Sequence, residues 1–288
     1  MVNILNRIRI SMWKLEKPSL ESSKDDLREV TAHCCGLNDK DVPNFEALYE
    51  EYDINKGKIN EEYHFDFIKS HATQSKVMYN QYKKLNEGAE LDYIRAELFT
   101  EAADCPLCGF GEPVTLDHFM PKSKYKELAT CRLNLVPICW KCNQKKTDND
   151  YQKFIHSYYQ EFPKDVQFFK CLVSAKDGGI IHFKFYIDGI ALDTTLKDKL
   201  ENQVETIELN KRLNKECITY ITSNFSADDI KDDRSLKFFI KDKLKKSEDN
   251  FGLNDWHTAL LAGLYDCVNF NVAFLKDFIK SNRRKQRI

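Results

Sequence analysis

Residues 105–143 read CPLCGFGEPVTLDHFMPKSKYKELATCRLNLVPICWKCN and contain two CxxC pairs. The cysteines are Cys105 and Cys108 in the first pair and Cys139 and Cys142 in the second. The intervening residues, 109–138, form a loop long enough to fold back and bring four thiolates around one metal ion. Because cysteine would fill every position of a tetrahedral site, the spacing predicts a structural zinc ion rather than a catalytic one.

The pattern around the cysteines predicts a ββα unit. A short strand is predicted at residues 114–116 and a second at 135–138, followed by a polar helix that begins near Asn143. Such a unit buries little apolar surface, whereas zinc binding contributes roughly 10–16 kcal/mol in finger peptides. We therefore expect zinc to stabilise it. Two other interpretations are four free thiols, which the paired spacing disfavours, and a redox CxxC, which would need one pair near a βαβ pattern.

The rest of the chain is predicted to be mainly helical, which gives an α+β fold class with the ββα core embedded between helical regions. Residues 1–103 place apolar side chains at helical spacing, and Ser22 and Asp41 precede such runs as candidate N-caps. The core itself is expected to span residues 104–162.

A β-hairpin followed by helices is predicted over residues 163–288. The segments 166–173 and 180–187 have β-rich composition around an Asp-Gly-Gly turn, and their alternation predicts one buried face. Helices are predicted from Thr195 onward, then over 226–246 and over 255–279.

Composition indicates an ordinary globular protein. The 288 residues are 42% hydrophobic and carry a net charge of -1, so any nucleic-acid binding must be local. Neither a signal peptide nor a membrane span is evident, and ten cysteines with metal spacing in four of them favour a reducing, cytoplasmic location.

Polar residues between the cysteine pairs suit phosphodiester hydrolysis. Asp117 and Asn143 offer hard oxygen ligands, which favour a second, catalytic ion such as Mg²⁺ or Mn²⁺. His118, beside Asp117, could accept a proton from water, since its ordinary pKa of about 6.5 leaves it mostly neutral.

These residues resemble the HNH endonucleases with a ββα-metal core, in particular the zinc-stapled branch, over residues 105–146. The resemblance implies that His118 is the general base, that Asp117 and Asn143 bind the catalytic metal, and that Asn134 holds the catalytic loop by hydrogen bonds. The third position is more usually histidine, so this chain has an H-N-N pattern. The implied products carry a 5′-phosphate and a 3′-hydroxyl.

The sequence of the motif also resembles that of HNH nucleases from bacterial antiphage systems, of the Septu type or associated with retrons. These nucleases work beside a separate ATPase. This chain has no GxxxxGK[ST] phosphate loop, so any nucleotide-driven regulation would come from such a partner. The resemblance therefore implies a defence effector with an ATPase partner protein.

Other residues near the site have two interpretations each. Phosphate contacts are predicted for four lysines: Lys122, Lys124, Lys145 and Lys146. His156 could approach the metal or a phosphate, or could cap or pack. Trp140 is expected to cover the zinc or pack on its helix, with base stacking as the alternative. The basic tail over 276–287 could bind nucleic acid or an acidic partner, or be an ordinary terminus.

The sequence thus predicts a metal-dependent endonuclease that hydrolyses nucleic acid, with DNA favoured over RNA. The alternative is a zinc-stabilised nucleic-acid-binding or assembly module without catalysis. His118 discriminates between them, because a binding module does not need a histidine beside an aspartate.

Overall fold

The computed structural model describes residues 12–226 and 230–285, with the side chains of 148–150 and 283–285 left undescribed. The first eleven residues of the predicted helical region and residues 286–287 of the basic tail lie outside the described residues. The chain divides into two compact units, one of Trp13–Glu161 and a second that includes everything from Phe162 onward. The N-terminal helices and the cysteine-rich core thus lie in one unit.

The first unit contains five α-helices and two strands among the described residues. They are α1 (Leu20–Ala32), α2 (Val42–Ile54), α3 (Glu61–Gln81), α4 (Asp92–Thr100), β1 (Thr115–His118), β2 (Leu135–Ile138) and α5 (Trp140–Lys145).

The N-terminal helices begin where short polar side chains can cap them. Ser19, not Ser22, caps α1: its hydroxyl accepts from the amide of Ser22, which lies inside the helix. The prediction for Ser22 was wrong because three serines precede the buried Leu27 and only the first of them, Ser19, lies outside the helix with extended backbone. Asp41 is the N-cap of α2 as predicted, but its carboxylate makes no capping hydrogen bond and accepts instead from the amide of Asn38.

The two strands of this unit pair antiparallel, with His118 opposite Leu135 and Asp117 opposite Val136. The first strand lies one residue later than predicted and extends through His118, whereas the second has the predicted bounds. The helix that follows begins at Trp140, with Cys139 as its N-cap, so Asn143 is inside it rather than at its start.

A buried ion pair joins α1 to the loop between the strands. The guanidinium of Arg132 contacts Asp26 of α1 and reaches Glu97 of α4, and Tyr93 donates to Asp26 at 2.9 Å. Because Arg132 and Asp26 are both buried, each requires the other as its charge partner. The helices therefore hold the loop in place.

The second unit consists of a hairpin and five α-helices within the described residues. They are β3 (Phe169–Lys176), β4 (Ile180–Ile187), α6 (Thr194–Thr206), α7 (Leu209–Asn224), α8 (Asp233–Phe251), α9 (Trp256–Asp266) and α10 (Val272–Lys285). The predicted α+β, mainly helical fold class is confirmed.

The hairpin follows its predicted turn. Gly178 and Gly179 have φ of +78° and +73°, in the region that glycine alone adopts readily. The predicted buried face is confirmed, since Phe183, Phe185 and Ile187 are buried. The other strand is three residues later than predicted, at Phe169–Lys176.

Two helix predictions in this unit were wrong in their bounds. The helix expected over 226–246 begins at Asp233, where Asp232 and Ser235 form a capping box, and residues 227–229 lie outside the described part. The helix expected over 255–279 is two helices, because the Asn271 side chain accepts from the amide of Phe274 and starts a new helix. Among the described residues no helix is long and apolar enough to cross a bilayer.

Candidate active site

The four cysteines of the CxxC pairs form one buried cluster. Their Sγ atoms all lie within 4.8 Å of one another, and the Sγ atoms of Cys108 and Cys139 are 3.9 Å apart. A tetrahedral zinc ion with Zn–S bonds of about 2.3 Å requires sulfur atoms about 3.8 Å apart. The cluster therefore fits zinc, and disulfide bonds do not form in this arrangement.

Tight backbone turns present the cysteines to the metal position. Gly109 has φ of +78° and its amide donates to the carbonyl of Cys105 at 2.8 Å, which closes the first turn. A Cβ on Gly111 would lie 2.8 Å from the Sγ of Cys139, so only glycine fits there. Hydrogen bonds from neighbouring thiols lower the pKa of Cys108 to about 7 and that of Cys139 well below its usual range. Burial raises the pKa of Cys105, and contacts with Cys108 and Cys139 raise that of Cys142, so four thiolates together would need the positive charge of a metal ion.

His118 ends β1 with its two ring nitrogens in different settings. Nε2 lies 2.9 Å from the carbonyl of Ala129, which requires Nε2 to be the protonated nitrogen of a neutral ring. Nδ1 makes no hydrogen bond within the described part of the chain, and it is therefore the nitrogen that can accept a proton. Burial lowers the pKa of His118 to about 3, assisted by the positive charges of Lys122 and Lys146. The ring is thus neutral near pH 7.

Asp117, the neighbour of His118, pairs with a buried lysine. Its Oδ2 lies 2.6 Å from Nζ of Lys146, and the same ammonium group donates to the carbonyl of His118 at 3.3 Å. Lys146 follows α5 directly, so this contact ties the end of the helix to the end of β1. Lys146 is 7% exposed, and the phosphate contact predicted for it stays a prediction.

Asn134 is fully buried and holds the loop that follows His118. Its Oδ1 accepts from the amide of Met120 at 2.8 Å, and its Nδ2 donates to the carbonyl of Met120 at 3.0 Å. A third contact comes from Tyr52 of α2, whose hydroxyl donates to Oδ1 at 3.0 Å. These bonds fix the backbone two residues after the histidine.

His156 lies behind Asn134. Its Nε2 is 3.0 Å from the hydroxyl of Tyr52, and its ring lies 4.0 Å from that of Phe119. His156 therefore packs and hydrogen-bonds among the side chains that support the loop after His118. The role of Tyr52 was not predicted from the sequence. The apolar spacing of α2 predicts that Tyr52 is buried, and a buried tyrosine hydroxyl usually needs a hydrogen-bond partner, but the sequence does not identify that partner.

Tyr82 is a second contact that the sequence did not reveal. Its ring centroid lies 4.5 Å from that of His118, and its hydroxyl donates to the carbonyl of Leu116 at 2.8 Å. The ammonium group of Lys122 lies 3.9 Å from the centre of the same ring. Tyr82 thus packs on one side of the histidine and places Lys122 beside it.

The remaining predicted residues have varied settings. Asn143 is half-buried in α5, which packs against β1. Lys124 is exposed and pairs with Glu61 at 3.2 Å, and Lys145 is half-buried in the last turn of α5. Trp140 is 57% exposed, so more than half of its side chain is open to solvent, and its packing on the zinc site or on its helix stays a prediction.

The geometry agrees with a comparison to known families. Residues 105–149 match the family model described as HNH endonuclease, a span that includes both cysteine pairs, β1, β2 and α5. The matched segment and the four-cysteine cluster fit the HNH superfamily. This segment supports a nuclease-type function in general. No curated protein and no solved structure matches the chain.

Proposed function

We propose that this protein is a metal-dependent HNH endonuclease that hydrolyses phosphodiester bonds in nucleic acid, with DNA favoured over RNA. The setting of His118 carries the proposal. A binding module has no use for a neutral imidazole whose Nε2 is held by the Ala129 carbonyl and whose Nδ1 is left to accept a proton.

The chemistry follows from this tautomer. Nδ1 of His118 accepts a proton from a water molecule as the water oxygen attacks the phosphorus atom. The bond between phosphorus and the 3′-oxygen breaks, and the 3′-oxygen takes a proton from solvent water. The products carry a 5′-phosphate and a 3′-hydroxyl. Asn134 keeps the loop after the histidine in one conformation, so that the base does not need to reorganise during the reaction.

Asp117 and Asn143 are the residues that would hold a catalytic Mg²⁺ or Mn²⁺. Their carboxylate and amide oxygens are the ligand types that these ions prefer. The ammonium group of Lys146 already lies against the Asp117 carboxylate, which supports a position suited to positive charge. When bound, the ion supplies charge stabilisation to the phosphate and leaving oxygen.

A biological role is part of the proposal. The resemblance of the motif to Septu-type and retron-associated nucleases supports an effector of bacterial antiphage defence that acts in the cytoplasm with a separate ATPase. Activity of the purified chain would then increase when that ATPase is present.

The test is cleavage of plasmid DNA and of total RNA with Mg²⁺ or Mn²⁺. We expect His118→Ala to lower the rate by about 10²- to 10⁴-fold, the contribution typical of a general base. His33→Ala, which changes an exposed histidine at the end of α1, is the matched control and should cut at the wild-type rate. Zinc content and circular dichroism must be equal in all three proteins.

Two outcomes would contradict the proposal. Cleavage at equal rates by wild type and the His118 variant would exclude the assigned base. Binding of nucleic acid without cleavage, alone and with a co-purified ATPase, would instead support the zinc-stabilised binding module.

A further inference from the structure

Trp140 differs from the other two tryptophans of the chain in its exposure. Trp13 and Trp256 are 0% and 5% exposed, whereas Trp140 is 57% exposed. Tryptophan is usually well buried because of its large apolar area. A wide aromatic face is therefore presented to solvent within the segment that carries the candidate site.

The backbone that carries Trp140 is held on both sides. Cys139 precedes it and Cys142 follows two residues later, and both belong to the four-cysteine cluster. Side chains two positions apart in a helix point about 200° apart, so Trp140 points away from the cluster while Cys142 points into it. The geometry of α5 thus directs the indole away from the zinc position. Bound zinc would therefore hold in place the backbone that carries the Trp140 indole.

Trp140 lies on the same side of α5 as a proposed metal ligand. Asn143 is three residues further along the helix, a spacing that places Cβ atoms about 5–6 Å apart. Lys141, next to Trp140, is also exposed and adds positive charge. A nucleic-acid strand whose phosphate lies at Asn143 would therefore pass within reach of the indole.

We infer that Trp140 is a stacking platform for an unpaired nucleobase next to the cleaved phosphate, and that the substrate is single-stranded or locally opened nucleic acid. The inference rests on the proposed function for the position of the phosphate. Base–aromatic stacking accepts any base, because every base has a π face, and supplies affinity without sequence specificity. Within an intact duplex these faces are covered by neighbouring base pairs, so Trp140 favours a strand whose bases are free.

The test uses the fluorescence of Trp140 in the full-length, zinc-loaded His118→Ala variant, which keeps the strand intact. Stacking on an indole quenches its emission, and the two buried tryptophans supply a constant background. We expect quenching by a single-stranded DNA oligonucleotide and little by its blunt duplex. An oligonucleotide of the same length with abasic sites presents the phosphates without bases and should not quench. Trp140→Phe in the same background should abolish the quenching.

Affinity is measured in parallel by anisotropy of a labelled single strand. Loss of one stacked base costs about a 5- to 150-fold increase in Kd, which we expect for Trp140→Ala but not for Trp140→Phe. Phe65→Ala, which removes a 68% exposed aromatic side chain from α3, is the matched control and should leave Kd unchanged.

The outcomes separate this inference from the proposed nuclease. Binding of the single strand without quenching, or equal affinity of the Trp140→Ala variant, overturns the stacking platform even if wild-type protein cleaves. Failure of the single strand to bind overturns it as well. Quenching and weakened binding as expected, with a wild-type protein that never cleaves, support the platform and reject the nuclease.

Discussion

Asn134 receives a hydrogen bond from a residue far outside the matched HNH segment. Tyr52 is fully buried in α2 and its hydroxyl links the Asn134 side chain to His156. Removal of that hydroxyl leaves buried polar atoms with one partner fewer, which typically costs about 1–3 kcal/mol. Tyr52 is thus one of the side chains, with Asp26 and His64, through which the N-terminal helices contact the segment between β1 and β2.

Tyr52→Phe should therefore lower kcat more than it raises KM, because the loop that follows His118 loses one of its supports. We also expect the free energy of unfolding to fall by about 1–3 kcal/mol. Tyr93→Phe, which removes the hydroxyl that donates to Asp26, should have a similar effect on stability but none on kcat. Steady-state kinetics and denaturant unfolding of both variants check this; equal kcat in the two would contradict a positioning role for Tyr52.

Gly111→Ala should reduce the zinc content. The added Cβ would lie 2.8 Å from the Sγ of Cys139 and 2.9 Å from its Cβ, so the sulfur must move out of the tetrahedron. Gly88→Ala is the control: its Cβ would meet nothing within 4 Å, although its φ of +76° costs about 1–2 kcal/mol. Zinc per chain is measured after dialysis. A full complement of zinc in the Gly111 variant would show that the turn tolerates a side chain.

For individual residues, the sequence predicts a role where that role depends on spacing along the chain. The two CxxC pairs and the Asp117–His118 neighbours are visible because metal ligation and a strand end depend on positions close in the chain. Tyr52, Tyr82 and the pairing of Lys146 with Asp117 are not visible, because each contact joins residues at least 29 positions apart. Exposure of Trp140 was equally hidden, since it depends on which side of α5 faces the core.

Among the elements, α9 packs closely on the hairpin through a helical glycine. A Cβ at Gly263 would lie 2.3 Å from the carbonyl oxygen of Cys171 in β3 and 2.9 Å from a methyl group of Val173. Glycine lowers helix stability by roughly 1 kcal/mol relative to alanine. In this position the close approach of helix and strand outweighs that cost.

Gly263→Ala should consequently destabilise the second unit although alanine is the better helix former. Overpacking typically costs about 1–3 kcal/mol. Ala262→Gly at the neighbouring position measures the effect of helix propensity alone. Ala262 is half-buried and already carries a methyl group, so its replacement introduces no overpacking. Thermal unfolding of the two variants is compared. A gain in Tm for Gly263→Ala would mean that the helix and strand are less closely packed than described.

Element types could be predicted from the sequence more reliably than their ends. The hairpin turn and its buried face follow from glycine chemistry and from alternation, both of which are local. The division of 255–279 into α9 and α10 was not predicted. No break in the apolar pattern marks Asn271, and its role as a helix cap is evident only from the hydrogen bond that its side chain accepts from the amide of Phe274.

For the whole molecule, the four zinc ligands all belong to the unit Trp13–Glu161. The helices of that unit contact the loop between β1 and β2 through Arg132 and Tyr52, so loss of zinc should loosen the helices as well as the ββα segment. The unit from Phe162 onward has its own hairpin and buried aromatic core.

Removal of zinc by a chelator should therefore increase amide hydrogen exchange throughout Trp13–Glu161 and leave α6–α10 protected. Structural zinc contributes folding free energy directly, and its loss unfolds the segment that binds it. Mass spectrometry of peptic fragments gives the exchange of each unit separately, and excess zinc should restore protection. Equal loss of protection in both units would show that they do not unfold independently.

The contact between Tyr52 and His156 also has a consequence for synthesis. The two residues are 104 positions apart, and Arg132 is 106 positions from Asp26. Since domains fold as units while the chain emerges from the ribosome, α1 and α2 must wait for almost the whole first unit before they meet these partners. A nascent chain that already displays His118 still lacks the segment that supports its loop. The ribosome thus releases His118 before Asn134 and His156, so the loop after the histidine takes its final conformation only when most of the first unit has been synthesised.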